Sequence, residues 1–340
     1  MEALMSRKLF TLSLTATLMG GTAYADTPQV AVDIAPVHSL VARVMDGVGT
    51  PDLIIQPGAS PHEYGLRPSE AAALHNSDLV FWIGPDLTPW LTDTIETLAK
   101  DASVTTLIDL DGTVQLDFRE SASFEVHDHD DHDDQDDHDD HDDHDEHDEH
   151  DEHNDHDDHD VTAGHDKHDH GDHDPHAWLS PKNSMTWLNV IAGQLSAVDP
   201  DNAGTYFANA AAGHKEIELL IGEVTATLDR VRGGSFIVFH DAYQYFEMDF
   251  NFPASGAISV SDASDPSPTR ITEIRDRIAK QGIDCVLAEP QFNPDLIATV
   301  LDGTDAKMGI LDPLGSDLEP GSSLYKKLIR NLSTALASCM

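Results

Sequence analysis

Residues 202–232, NAGTYFANAAAGHKEIELLIGEVTATLDRVR, predict one long helix, and the rest of the chain is arranged around it. Gly204, Gly213 and Gly222 are its few helix breakers. Residues 182–198 form a second helical pattern, which Asp199 and Pro200 separate from the first. A helix of this length exceeds an ordinary globular element, so we predict a rod that joins two domains.

Strand and helix patterns alternate on both sides of the rod. Before it, the predicted strands are 29–37, 52–56, 78–83 and 104–107, with helices at 39–48 (Ser39 as N-cap), 68–76 and 87–99. After it, the predicted strands are 235–240, one within 251–260, 284–288 and 307–311, with helices at 268–280, 294–301 and 324–337. Alternation of this kind is typical of parallel sheets. We therefore predict an α/β fold of two similar (β/α)4-type lobes joined by a long rigid helix.

The N-terminus has the pattern of a secretory signal peptide. A basic pair, Arg7 and Lys8, precedes an apolar run at 9–19 and the small-x-small site that ends at Ala25. This predicts an exported protein, with cleavage near Ala25. The expected units are a signal peptide at 1–25, an N-terminal lobe at 26–181, connecting helices at 182–232 and a C-terminal lobe at 233–340.

A histidine- and aspartate-rich tract interrupts the first lobe at about 125–174. Residues 127–173 hold 15 of the chain's 21 histidines, and from His138 to His159 a histidine recurs at every third position. The recurring histidines are His138, His141, His144, His147, His150, His153, His156 and His159. The tract has no apolar face, so we expect a disordered, solvated loop. Imidazoles and carboxylates bind divalent metals, which favours an accessory metal loop over a plain acidic spacer.

The net charge restricts the possible partners of the protein, and the cysteine content indicates a disulfide. The formal net charge is −44, which argues against a nucleic-acid partner. The two cysteines, Cys285 and Cys339, are an even pair in an exported chain and predict a disulfide. Two unpaired buried thiols are the alternative.

Three histidines outside the tract stand at the ends of predicted elements: His62, His176 and His240. Asp312 follows another strand and is a natural fourth ligand. Three imidazoles and one carboxylate suit a tetrahedral Zn²⁺ site. Glu63 and Asp241 are either partners that orient an imidazole or exposed side chains.

The segments GASPHEYGLRPS, DPHAWLSP, FIVFHDAYQYFE, LAEPQF and LDPLG resemble those of the periplasmic zinc-binding proteins of ABC importers, the cluster A-I metal-binding receptors. The resemblance covers essentially the whole mature chain. It implies zinc ligation by His62, His176 and His240 in a cleft between the lobes, and it supports the pair Cys285–Cys339. Some zinc members carry a Glu directly before the first histidine as fourth ligand. This chain has Pro61 there, which leaves Asp312, a water or a loop carboxylate; we favour Asp312.

The resemblance implies a zinc receptor and not an enzyme, with Zn²⁺ as the bound ion. An inner-membrane ABC permease and zinc chaperones are the partners to expect, and we expect a monomer. Two alternatives remain at this stage. A three-histidine zinc site could activate water in a hydrolase, or the tract alone could serve as a periplasmic zinc buffer.

Overall fold

The computed structural model describes residues 27–119, 124, 173–259, 266–292 and 294–340. The predicted signal peptide at 1–25 and the histidines from His138 to His159 lie outside the described residues. Among the described helices, none combines the length and the apolar character needed to cross a bilayer.

The first lobe is a parallel sheet with helices between its strands. In chain order its elements are β1 (Val30–Val32), α1 (Ala35–Val44), β2 (Asp52–Leu53), α2 (Pro68–Asn76), β3 (Leu79–Trp82), α3 (Pro89–Leu98) and β4 (Ser103–Thr106). The strand order is β2-β1-β3-β4, and every pairing is parallel. The central strands β1 and β3 are fully buried apolar runs, as expected for a sheet covered on both faces.

Two long helices follow, α4 (Pro181–Val198) and α5 (Ala203–Leu228). Helix α5 has 26 residues and is therefore about 39 Å long at 1.5 Å per residue. Its buried residues recur three or four positions apart, and its length confirms the predicted rod. At Gly213 an added Cβ would lie 3.0 Å from the Leu188 side chain, so this glycine allows α5 to pack closely on α4.

The second lobe repeats the arrangement of the first. Its elements are β5 (Phe236–His240), α6 (Gln244–Phe250), β6 (Gly256–Ser259), α7 (Pro268–Gln281), β7 (Cys285–Ala288), α8 (Pro294–Leu301), β8 (Lys307–Ile310) and α9 (Leu324–Cys339). The strand order is β6-β5-β7-β8, again wholly parallel. The predicted α/β fold of two similar lobes and a connecting helix is confirmed. The short helix α6 was not predicted, and it carries residues that matter for the site.

Helix α1 begins earlier than the sequence pattern suggested. It starts at Ala35 with Pro36 in its first turn, where the missing N–H of proline leaves no hydrogen bond unmade. Ser39 is therefore inside the helix and is not its N-cap. Its hydroxyl oxygen accepts a hydrogen bond from the backbone N–H of Tyr325, 2.9 Å away, at the start of α9.

Polar contacts also join the two lobes through α5. The Glu216 carboxylate on α5 accepts hydrogen bonds from Arg43 of α1 at 3.0 Å and from Lys326 of α9 at 2.6 Å. These two cations lower the pKa of Glu216 despite its partial burial. One continuous apolar core runs through the first lobe, α4, α5 and α9. The residue boundaries of the expected units stay a prediction.

Candidate metal centre

His62 lies in the loop that leaves the carboxyl end of β2, where ligands of parallel sheets bind. Its backbone N–H donates to the Ser60 hydroxyl oxygen at 3.3 Å. The Trp90 indole N–H donates to the Pro61 carbonyl oxygen at 2.8 Å, which ties this loop to α3. His62 is half-buried, so its imidazole is the most accessible of the three.

His176 is placed by the segment that precedes α4. The Asp174 N–H donates to the Leu116 carbonyl oxygen at 2.8 Å, and His173 forms an antiparallel bridge with Asp117. One carboxylate oxygen of Asp174 contacts both the backbone N–H of His176, at 3.0 Å, and its ring Nδ1, at 2.7 Å. The imidazole is buried, and Asp174 fixes its orientation.

His240 is the last residue of β5. Its Nδ1 lies 2.6 Å from Oε1 of Glu289, the residue that follows the adjacent parallel strand β7. Both side chains are buried. The neighbouring strand ends thus supply a histidine and the carboxylate that orients it.

The three imidazoles converge on one point. Each of His62, His176 and His240 offers a ring nitrogen, and these atoms all lie within 4.8 Å of one another. Nε2 of His176 and Nε2 of His240 are 3.4 Å apart. Two nitrogens on a tetrahedral zinc ion are separated by about 3.3 Å, given Zn–N bonds of about 2.0–2.1 Å. The separation therefore fits two ligands of one ion.

Carboxylates and apolar side chains surround the imidazoles of His176 and His240. If Asp174 and Glu289 accept the Nδ1 protons, the Nε2 lone pairs of His176 and His240 face the shared point. The Trp178 ring lies 5.2 Å from that of His176, and Pro61, Phe292 and Leu314 also line the cavity. These apolar groups limit access of water.

Asp174 and Asp241 are buried carboxyl groups beside the histidines. Burial raises the pKa of each to about 7, and the guanidinium of Arg119 opposes the shift in both. A divalent ion on the histidines favours the ionised carboxylates in the same way, because opposite charges stabilise each other. A cation bound at the histidines should therefore lower the pKa of both carboxyl groups from this raised value.

The structure does not bring Asp312 into the histidine group. Its carboxylate accepts hydrogen bonds from the backbone N–H groups of Leu314, Gly315 and Ser316 at 2.9, 2.9 and 2.6 Å. It caps the turn after β8, and those bonds direct its oxygens to the backbone. The structure thus does not place Asp312 with the three histidines, and its role as the fourth ligand stays a prediction.

For Glu63 and Asp241 the sequence left two roles open, an orienting partner or an exposed side chain. Glu63 is exposed, and the Asp241 carboxylate accepts a hydrogen bond from Arg119 at 3.1 Å. The orienting carboxylates are Asp174 and Glu289. The pairing of Asp174 with His176 has a local signal, since the two stand two residues apart in D-P-H; that of His240 with Glu289 spans 49 residues.

We expect Glu289→Gln to weaken zinc affinity about 10–100-fold, the usual effect of removing an outer partner of a metal-bound imidazole. Glutamine keeps the shape but not the negative charge that fixes the His240 tautomer. Competition with a chromophoric chelator measures the affinity. Glu273→Gln, on the exposed face of α7, is the matched control. An affinity for the Glu289 variant equal to that of the control contradicts the orienting role.

Two parallel α/β lobes joined by a long helix, with three buried or half-buried histidines meeting between them, define a two-lobed metal-binding receptor. The family described as "ZnuA: Zinc-uptake complex component A periplasmic" matches residues 30–339, and the chain belongs to that family.

Known proteins agree with this assignment. The chain is 46% identical over 325 residues to the high-affinity zinc uptake system protein ZnuA of Brucella abortus, covering 96% of this chain and 95% of the relative. A crystal structure of ZnuA superposes with a TM-score of 0.70 at 21% identity, covering 92% of this chain and 99% of the other. A ZnuA deletion mutant with zinc bound gives a TM-score of 0.68 at 20% identity, with 92% and 98% coverage. The two structures share the fold.

Proposed function

We propose that this protein binds Zn²⁺ in the periplasm as cargo and delivers it to an ABC permease in the inner membrane. His62, His176 and His240 are the proposed ligands. The convergence of their ring nitrogens within 4.8 Å, with two rings backed by carboxylates, carries the proposal. The zinc-uptake names of the family and of its Brucella relative support the same cargo.

The ligand set favours zinc among the divalent ions. Imidazole suits zinc, whereas carboxylate and water suit manganese and magnesium. The site supplies three imidazoles, and Asp312 is engaged with the backbone. The fourth ligand is then a water, a carboxylate of the tract, or Asp312 after release from its turn.

We infer that the site serves binding and not hydrolysis. A zinc hydrolase needs a carboxylate or histidine free to act as general base beside the metal-bound water. The nearest buried carboxylates, Asp174 and Glu289, are engaged on imidazole Nδ1 atoms. Their position suits orientation of ligands.

The remaining features complete the proposed function. The signal peptide is cleaved near Ala25, and the receptor works as a monomer. The tract of residues 127–173 captures several zinc ions weakly and passes them toward His176, the first described ligand after it. Zinc chaperones are further partners on this proposal.

Deletion of residues 126–172 tests the proposal against the alternative that the tract is a zinc buffer and the whole function. We expect the shortened protein to bind one zinc ion with the affinity of the full chain and to lose the additional weak sites. The reason is structural: Asp117 and His173 pair across the base of the tract, and Asp174 bonds to Leu116, so His176 is held without it. Calorimetry and metal analysis of both proteins measure stoichiometry and affinity. If tight 1:1 binding disappears with the tract, the receptor proposal fails.

A further inference from the structure

Arg119 lies where the chain leaves the first lobe for the tract, and its side chain reaches the second lobe. We propose that Arg119 is a positioning residue of the metal centre, which fixes His176 and His240 relative to each other. This inference rests on the proposed function, since it takes the three histidines as the metal ligands. It is carried by two chains of contacts that start from the same guanidinium.

The first chain of contacts leads to His240. Nη1 of Arg119 donates to Asp241 Oδ1 at 3.1 Å, and Asp241 directly follows His240 at the end of β5. Nη2 of Arg119 donates to Glu247 Oε2 at 2.7 Å, on helix α6. The guanidinium thereby holds the end of β5 and the following helix together.

The second chain of contacts leads to His176. Nε of Arg119 donates to Gln244 Oε1 at 3.2 Å. The amide nitrogen of Gln244 donates to Asp174 Oδ2 at 3.2 Å, and the other oxygen of Asp174 contacts His176 Nδ1 at 2.7 Å. One side chain therefore links the carboxylate that orients His176 to the backbone that carries His240.

An arginine suits this position better than a lysine. Its planar group has five N–H donors in a fixed arrangement, so it can bond to Asp241, Gln244 and Glu247 at once. The Phe124 ring covers the guanidinium at 3.9 Å. Asp241 and Glu247 are buried, and buried carboxylates are stable only beside a compensating charge.

Arg119 thereby affects the spacing of two of the proposed ligands, His176 and His240. Nε2 of His176 and Nε2 of His240 are 3.4 Å apart, close to the separation that a tetrahedral zinc ion requires. His176 and His240 belong to segments 64 residues apart, and Arg119 joins the groups that hold them. Loss of Arg119 removes this link between the two rings, although Asp174 and Glu289 still contact their Nδ1 atoms.

Arg119→Met is the main test, and Arg43→Met is its matched control. Both side chains are largely buried, with 20% and 16% exposure, and both pair with carboxylates, but Arg43 contacts Glu216 on α5. We expect Arg119→Met to lower zinc affinity about tenfold, at the weaker end of what outer partners contribute. The visible spectrum of the Co²⁺-loaded protein should lose intensity or shift, because the tetrahedral geometry is distorted. Arg119→Lys should recover part of the affinity, and Arg43→Met should change neither property.

A second variant keeps the test decisive if Arg119→Met does not fold. Gln244→Leu breaks only the link from Arg119 to Asp174 and should lower zinc affinity by a smaller factor with the same spectral change. Wild-type affinity and an unchanged cobalt spectrum in the folded Arg119→Met or Gln244→Leu protein overturn the positioning role. His176→Ala separates this result from failure of the proposed function. If His176→Ala binds zinc like the wild type, the three-histidine site itself is wrong, and the positioning role falls with it.

Discussion

His176→Ala should lower zinc affinity by more than about 100-fold, beyond the effect of removing an outer partner of a metal ligand. The variant removes one of the three ring nitrogens that meet within 4.8 Å. It also leaves the buried carboxylate of Asp174 without the imidazole that it contacts. Metal analysis of the purified protein and chelator competition measure the loss.

His75→Ala is the matched control, because His75 is exposed on α2 and outside the histidine group. It should bind zinc like the wild type. A second readout is the thermal stability with added zinc. A ligand at 100 times its dissociation constant stabilises the native state by about 2.7 kcal/mol. The wild type and His75→Ala should show this stabilisation, and His176→Ala should not. Equal stabilisation of all three proteins rejects the site.

The histidines were accessible to sequence reasoning because of where they stand. His240 ends an apolar run, and His62 and His176 lie in proline-containing loops beside predicted elements. In parallel α/β lobes such positions collect at one edge of each sheet. The pattern thus predicted which residues could meet. The resemblance to metal receptors predicted that the bound ion is zinc.

Asp312 shows the limit of that reasoning. It also follows a strand, but the sequence after it is Pro-Leu-Gly-Ser, a turn whose N–H groups need an acceptor. A strand-end carboxylate can serve a metal or a turn, and the sequence pattern is the same for both. Only the direction of its oxygens separates the two roles.

The partners that orient the site depend on long-range geometry. Glu289 meets His240 because β5 and β7 are neighbours in the sheet order, which the alternating pattern does not specify. Ser39 meets Tyr325 across 286 positions because helices α1 and α9 pack against each other. Arg119 reaches α6, a helix of seven residues that was too short to be recognised. Contacts between elements are set by topology, which local patterns do not encode.

Removal of the disulfide should lower the stability of the protein substantially. The structure joins Cys285, the first residue of β7, to Cys339, the last residue of α9, and thereby confirms the predicted pair. The bridge closes a loop with a sequence separation of 54. By the chain-entropy relation, Cys285→Ala with Cys339→Ala should lower the free energy of unfolding by about 4 kcal/mol. Urea denaturation of the metal-free proteins measures this difference.

The same double variant should keep its zinc affinity within about threefold. Cys285 begins β7, whereas Glu289 follows the other end of that strand, about 13 Å away at 3.3 Å per residue. The bridge therefore stabilises the second lobe without touching the ligands or Asp174.

Added zinc should restore part of the lost stability, because the ion binds only the folded state. That rescue should vanish when His176→Ala is combined with the double variant. A large loss of zinc affinity on removing the disulfide alone contradicts this separation, since it would show that the packing of α9 controls the geometry of the metal centre.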